Sequence, residues 1–306
     1  MRKVNNITEL IGRTPIVKLR NLIEKDSADV YLKLEYFNPG GSVKDRPAFN
    51  MIKTAQKNGN FKKGGTIIEA TSGNTGIGLA MVAAAEGYNC IIIMPDSVSE
   101  ERIKILKAYG AEVILTSSEN LMQGAIEKAK TLNKNTTNSF IVNQFINPAN
   151  PDAHRQSTAL EILEQLDHQL DAFVASSGTG GTITGTGEKL KEKIKDLKIY
   201  TVESKNSPVL SGGKPGKHKI PGTGPGFIPK NLNTSIYDKV FEISDQEVIE
   251  MTGLLASKEG LLLGPSSGAA AWTAIKVAKE LGKGKKVLAI AADNGERYLS
   301  QNYFSN

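Results

Sequence analysis

Four short turns rich in Gly, Ser and Thr are the parts of this chain that could do chemistry. They read Gly40-Gly41-Ser42-Val43-Lys44, Thr71-Ser72-Gly73-Asn74-Thr75-Gly76, Gly178-Thr179-Gly180-Gly181-Thr182 and Gly264-Pro265-Ser266-Ser267-Gly268. Backbone amides and hydroxyls in such turns can meet an anion at close range, because no bulky side chain holds the ligand away. One turn of this kind says little. Four, at the strand-to-helix junctions where open α/β sheets place their ligands, imply a single large anionic ligand with several polar handles. The third turn is the phosphate candidate, since it follows an apolar strand and opens a helix at Ile183. No lysine follows its glycines, so it is not a Walker loop. Ile183 occupies the last glycine position of a dinucleotide fingerprint, so that motif is absent too. An uncharged cup suits a cofactor that is held but not hydrolysed, although a glycine turn taken alone can also serve packing only.

Lys44 is the nucleophile candidate. It is followed by Asp45-Arg46-Pro47, and Pro47 suits the first turn of a helix, where its missing N–H costs little. Lys44 is therefore expected to project from a loop at or near a helix N-terminus. Desolvation and the positive end of the helix dipole would both disfavour its ammonium form there, so it could act as nucleophile and base. Taken alone it is one basic residue among 38, most of which lie on the surface.

The elements that must position these turns alternate. Strands are expected over 66–69, 89–94, 112–116 and 140–143. Helices follow the Thr71–Gly76 turn, run from Ser99 to a stop before Gly110, and span 122–131. Asn147-Pro148-Ala149-Asn150-Pro151 reads as a connection, after which the pattern restarts. Helices are expected over 152–166, 183–194, 245–258 and 267–281, with strands over 172–175, 198–203 and 286–291. This is the βαβ rhythm of parallel sheets. The irregular, Gly- and Pro-rich stretch 204–230 is long enough to be functional rather than incidental.

Composition narrows the class. The 306 residues suffice for two modest domains, and 39% hydrophobic with 23% charged residues is ordinary for a soluble globular chain. The net charge of +6 arises from interleaved signs. Lys214, Lys217, His218 and Lys219 form the most basic loop, but no aromatic or Arg interleaving marks it for nucleic acid. Cys90 is the only cysteine and lies in an apolar run, so a packed core thiol is expected. His154, His168 and His218 lack metal-ligand spacing, and no metal is expected. Without a signal-like start or a membrane-length apolar run, the expected location is cytoplasmic.

At this point a resemblance becomes specific. Asn38-Pro39-Gly40-Gly41-Ser42-Val43-Lys44-Asp45-Arg46 is similar to the cofactor-lysine segment of the cysteine synthase (O-acetylserine sulfhydrylase) family. Thr71 to Gly76 resembles its substrate loop and Gly178 to Thr182 its phosphate loop. Ser207-Pro208-Val209-Leu210-Ser211-Gly212-Gly213, Ser266-Ser267-Gly268-Ala269-Ala270 and Gly295-Glu296-Arg297-Tyr298-Leu299-Ser300 match in order and spacing. The likeness runs from about residue 11 to about residue 303, nearly the whole chain. It implies the tryptophan synthase β-like fold (PLP fold type II), α/β with two three-layer αβα domains and twisted, mostly parallel sheets. Residues 1–40 plus 150–306 would form a larger domain holding the cofactor phosphate, and 41–149 a smaller, mobile domain carrying the substrate loop.

The resemblance also implies roles. Lys44 would carry pyridoxal 5′-phosphate as a Schiff base and take the substrate Cα proton. Gly178, Thr179, Gly180, Gly181 and Thr182 would hold the cofactor phosphate, Asn74 the pyridine 3′-oxygen, and Ser266 the pyridine nitrogen. Thr71, Ser72, Gly73, Thr75 and Gln144 would receive the substrate carboxylate, with Gly222 of the long loop also at the substrate. A neutral Ser266 makes the ring a weaker electron sink than an aspartate would, which favours β-elimination and replacement. The implied reaction is O-acetyl-L-serine plus sulfide to L-cysteine plus acetate through an α-aminoacrylate.

Alternatives remain open at this stage. They are cystathionine β-synthase, cysteine desulfhydrase or serine/threonine dehydratase activity, an idle homologue that acts by binding a partner, and, remotely, a nucleotide-binding oxidoreductase. The chain stops at Asn306, so no appended regulatory domain of the kind many such relatives carry is expected. The resemblance further implies a homodimer and a possible partner in the C-terminal tail of serine acetyltransferase. Pro221, Thr223 and Pro225 stand where Gln, Ile and Ala are commoner in that family. Pro265, Ala292 and Pro47 likewise replace a usual Ile, Pro and aliphatic residue. These departures are either drift on one scaffold or the mark of a different nucleophile: homocysteine, a second cysteine or water.

Overall fold

Strands and helices alternate along the chain in the computed structural model, which describes residues 3–301, 303 and 304. The first part runs β1 (Ile16–Lys18), β2 (Asp29–Leu34), α1 (Asp45–Lys57), β3 (Thr66–Ala70), α2 (Asn74–Glu86), β4 (Asn89–Pro95), α3 (Glu100–Ala108), β5 (Glu112–Thr116), α4 (Leu121–Asn135) and β6 (Ser139–Ile141). It continues with α5 (Ala149–Ala153), α6 (Ala159–Gln165), β7 (Ala172–Ser176), α7 (Gly181–Lys193), β8 (Lys198–Ser204), β9 (Lys239–Ile243), α8 (Asp245–Glu259), α9 (Pro265–Leu281) and β10 (Lys286–Ala291). Among the described residues no helix is long and apolar enough to cross a membrane.

The chain divides into two units, Met1–Ile11 with Lys44–Asn150, and Gly12–Val43 with Pro151–Asn306. The first residues, expected with the larger unit, pack with the smaller one. Asn6 Nδ2 donates to the Ala85 carbonyl at 3.2 Å, Thr8 Oγ1 donates to Glu86 Oε1 at 3.1 Å, and Ile11 joins the apolar cluster beside α2. The ends of the expected larger domain, Met1, Arg2, Asn302, Ser305 and Asn306, lie outside the described residues.

The smaller unit is built on a four-stranded parallel sheet in the order β5-β4-β3-β6. Side chains alternate across it, as a strand period of two requires. Ile67, Cys90 and Ile92 face α1, α2 and α3, while Ile68, Ile93 and Ile141 face α4. The larger unit carries a six-stranded sheet in the order β1-β2-β10-β7-β8-β9, parallel except for β1 against β2. Val30, Val174, Val287 and Ala289 pack toward α8 and α9. Phe173, Ile199 and Leu288 pack toward α6 and α7. Each unit is thus a three-layer α/β sandwich.

Three departures from the sequence reading have physical causes. The expected helix over 152–166 starts earlier, at Ala149, where Asn147 Oδ1 accepts the Ala149 N–H at 3.0 Å and Pro151 sits in the first turn, which needs no donor. It is also interrupted by a π turn, His154–Thr158. The strand expected over 140–143 ends at Ile141, because Asn143 takes a left-handed φ of 54°. Strands β1, β2 and β9 carry no clear apolar signal. In β2 the fully buried residue Lys33 breaks the pattern, satisfied by Thr14 O at 2.6 Å, Glu161 Oε2 at 2.7 Å and Gln165 Oε1 at 2.8 Å.

Candidate active site

In the smaller unit Lys44 occupies the N-cap position of α1, with φ −74° and ψ −14°. Its carbonyl accepts the Ala48 N–H at 3.0 Å and starts the helix. Gly78 of α2 faces that turn, and a Cβ there would stand 3.2 Å from the Lys44 carbonyl oxygen. Close helix packing therefore fixes the backbone from which the Lys44 side chain leaves.

The turn between β3 and α2 carries Thr71, Ser72, Gly73, Asn74 and Thr75. Gly73 caps α2 without a side-chain bond, so the first amides of that helix point out of the turn with its positive end. Thr71 Oγ1 accepts the Gly73 N–H at 3.2 Å, and Arg102 of α3 donates from Nη1 to the Ser72 carbonyl at 2.6 Å. Gln144, buried in the loop after β6, brings its Oε1 to within 2.6 Å of Thr75 Oγ1, which donates to it. The Gln144 and Asn143 amides in turn donate to the Glu69 carboxylate at 3.2 and 2.8 Å. Burial drives the Glu69 carboxyl up to about 7, and the two N–H groups pull the other way.

In the larger unit the turn Gly178–Thr182 links β7 to α7. Two of its glycines are required by geometry. Gly180 has φ 80°, and a Cβ there would lie 2.7–2.8 Å from Leu232. A Cβ at Gly178 would lie 2.1 Å from the Gly222 carbonyl oxygen. Gly222 itself has φ 81°, and Gly224 N donates to the Ser177 carbonyl at 2.9 Å, so the long loop lies directly against the turn. Helix α7 is capped by Gly180 with no side-chain bond. His154, buried on the π turn, places Nδ1 2.9 Å from Thr158 Oγ1 and Nε2 3.3 Å from Thr182 Oγ1.

Ser266 stands in the first turn of α9 after Gly264 and Pro265. It is 5% exposed, at the start of the helix. A serine hydroxyl can bond an aromatic nitrogen, and the glycine cup at α7 would take a phosphate without a side chain in the way. The residues fit a ligand with both groups.

A model of pyridoxal-phosphate dependent enzymes matches residues 7–293. The chain belongs to this family. It is 57% identical over 308 residues to a probable cysteine synthase of Bacillus subtilis, covering 100% of this chain and 99% of that protein. Among solved structures it is similar to the cysteine synthase of Entamoeba histolytica, with a TM-score of 0.95, 44% identity and coverage of 99% and 91%. It is also similar to an O-acetylserine dependent cystathionine β-synthase of Helicobacter pylori, with a TM-score of 0.92, 42% identity and coverage of 100% of both chains. The fold is the tryptophan synthase β-like fold of these pyridoxal-phosphate enzymes, and the cofactor is pyridoxal phosphate.

Within each unit of this pyridoxal-phosphate enzyme the expected residues gather. Thr71, Ser72, Gly73, Asn74, Thr75 and Gln144 surround one turn of the smaller unit. Gly178 to Thr182 and Gly222 meet in the larger. Three further residues support the turns without having been expected there: Glu69, Arg102 and His154. Glu69 was legible only as a carboxylate inside an apolar strand, two residues before the turn. His154 and Thr158 have the spacing of neighbours on a helix face, but nothing in the sequence joins them to Thr182. Cys90 is buried as expected, and burial lifts its thiol to about 12, so it is inert.

Proposed function

We propose that this enzyme is a cysteine synthase, converting O-acetyl-L-serine and sulfide to L-cysteine and acetate. The observation that carries this reading is whole-length likeness to cysteine synthases. When bound, pyridoxal phosphate supplies the electron-withdrawing system that lets an amino acid lose its β-substituent. Lys44 would hold the cofactor, and its amine would take the proton from the substrate Cα. The turn of Thr71, Ser72, Gly73 and Thr75, with Gln144, binds the substrate carboxylate without adding a charge, the Thr75 hydroxyl acting by holding Gln144. Asn74 holds the pyridine 3′-oxygen. Gly178, Thr179, Gly180, Gly181 and Thr182 bind the phosphate, and His154 orients the Thr182 hydroxyl. Ser266 would bond the ring nitrogen without charging it. Gly222 lines the side on which the nucleophile arrives.

The test is direct. Purified protein loaded with pyridoxal phosphate should form cysteine from O-acetylserine and sulfide. Lys44→Ala should abolish both turnover and the visible absorbance of the lysine-bound cofactor. Discharge of the acetylserine-treated enzyme by homocysteine but not by sulfide would overturn cysteine synthesis. That outcome would favour the second reading, replacement by a thiol amino acid. The second reading has its own support in Thr223, whose buried hydroxyl has no hydrogen-bond partner among the described residues and lies in the loop against the phosphate turn.

A homodimer, a cytoplasmic location and docking of the C-terminal tail of serine acetyltransferase rest on the family resemblance. Sedimentation of the holoenzyme and titration with the tail peptide would test the first and last. Mobility of residues 41–149 is part of the same proposal, and slower hydrogen exchange there on adding substrate would support it.

A further inference from the structure

We infer that Glu69 is a positioning residue for the substrate carboxylate, acting through the backbone of Asn143 and Gln144 on the Thr75–Gln144 pair. The inference rests on the reading that this pair receives the carboxylate. Glu69 is 4% exposed at the penultimate position of β3, and its two oxygens are engaged separately: Oε2 by the Asn143 N–H at 2.8 Å, Oε1 by the Gln144 N–H at 3.2 Å. A carboxylate that accepts from two consecutive amides fixes both the height and the tilt of the peptide between them. That peptide follows the end of β6, where the backbone has turned left-handed at Asn143, φ 54°. No strand ladder holds these two amides in place, so the Glu69 carboxylate does.

The consequence reaches the Gln144 side chain. Its Oε1 accepts the Thr75 hydroxyl proton at 2.6 Å, while the Gln144 carbonyl accepts Asn150 Nδ2 at 2.8 Å. With Oε1 bonded to Thr75, the orientation of the Gln144 amide is fixed. Thr75 in turn directs its proton to Gln144 and is held in one rotamer. Shifting the backbone of Gln144 by a fraction of an ångström would lengthen this bond and let the amide rotate. Glu69 thus touches neither cofactor nor substrate, but decides which atoms of two residues present themselves.

The experiment compares the holoenzyme with Glu69→Gln, Gln144→Ala and the double variant. Glutamine keeps the shape but sets an NH2 group against one of the two N–H donors. At about pH 8.5, where Glu69 is ionised, the KM for O-acetylserine should rise about tenfold in Glu69→Gln, the worth of one charge-assisted hydrogen bond. The KM for sulfide and the affinity for pyridoxal phosphate should stay as in the wild type. The double variant should match Gln144→Ala, because Glu69 acts only through that residue. An unchanged KM in Glu69→Gln beside a raised one in Gln144→Ala would overturn the role of Glu69 alone, as would effects that multiply in the double variant. An unchanged KM in Gln144→Ala would overturn the substrate-site reading and this inference with it. Should Glu69→Gln fail to fold, hydrogen exchange in the wild-type holoenzyme decides: protected Asn143 and Gln144 amides support the role, and exchange at the free-peptide rate refutes it.

Discussion

Glu69→Gln should also change how stability depends on pH, and the size of the change follows from burial. In the folded protein the carboxyl is raised from 4.5 to about 7, because the apolar end of β3 strips it of water. A folded-state value above the unfolded one means the folded protein keeps a proton that the unfolded chain has lost. The stabilisation from this proton is whole below pH 4.5 and is lost as pH rises through about 7. The full difference corresponds to about 3 kcal/mol. Glutamine cannot titrate, so the variant lacks this slope. Urea unfolding of both proteins with saturating pyridoxal phosphate, followed by far-ultraviolet circular dichroism from roughly pH 4 to pH 9, gives two curves. Their difference cancels every other titrating group, including those of the cofactor. The wild type should lose about 3 kcal/mol relative to the variant across that range, most of it between pH 5 and 7. Curves that run parallel within about 0.5 kcal/mol would show that Glu69 is not desolvated in this way, and the reasoning from burial would fail.

Other outcomes follow from single contacts. Gly180→Ala forces a Cβ into a left-handed backbone and against Leu232, so it should cost about 1–2 kcal/mol from the backbone alone and weaken pyridoxal phosphate binding; thermal unfolding and cofactor titration read the two effects. His154→Ala removes the partner of both Thr158 and Thr182, and should cost about 1–3 kcal/mol while lowering cofactor affinity with the Lys44 absorbance retained. Cys90, its thiol lifted to about 12 by burial, should react with a disulfide reagent only at the rate of unfolding; prompt labelling of the native enzyme would contradict its place between β3 and β5.

Much of the fold was legible because the parallel strands of the smaller unit are apolar on both faces, and such runs announce themselves. β5 and β10 coincide with the expected 112–116 and 286–291, and the stop before Gly110 matches its φ of 80°. What escaped was decided by distant partners. β2 hides a buried lysine whose three acceptors lie 19 to 132 residues away. β1 is three residues long and half-exposed, and β9 sits at a sheet edge, so neither leaves a periodic trace. The π turn is invisible to a helical period because every residue there is a tolerable helix former. What marks it is its neighbour: Gly185 of α7 comes so close that a Cβ would lie 2.0 Å from the Pro151 carbonyl oxygen.

The same division runs through the site. Residues expected to touch the ligand sit in local turns, where glycine, serine and threonine must cluster to expose amides, and local clusters can be read from a sequence. The residues that hold those turns obey no such rule. Arg102 reaches Ser72 across 30 residues, His154 reaches Thr182 across 28, and Glu69 reaches Gln144 across 75. They are charged or ionisable side chains brought against neutral turns from another element. The turns are neutral because they must accept a phosphate and a carboxylate. A neutral turn has few strong bonds of its own, so its rigidity is supplied from behind by groups that bond to its backbone or to one hydroxyl. Charge is thus kept one residue away from the ligand, where it can order the donors without competing for the anion. A carboxylate such as Glu69 placed directly in the substrate turn would repel the substrate. Placed one peptide behind, it aims the donors that bind it.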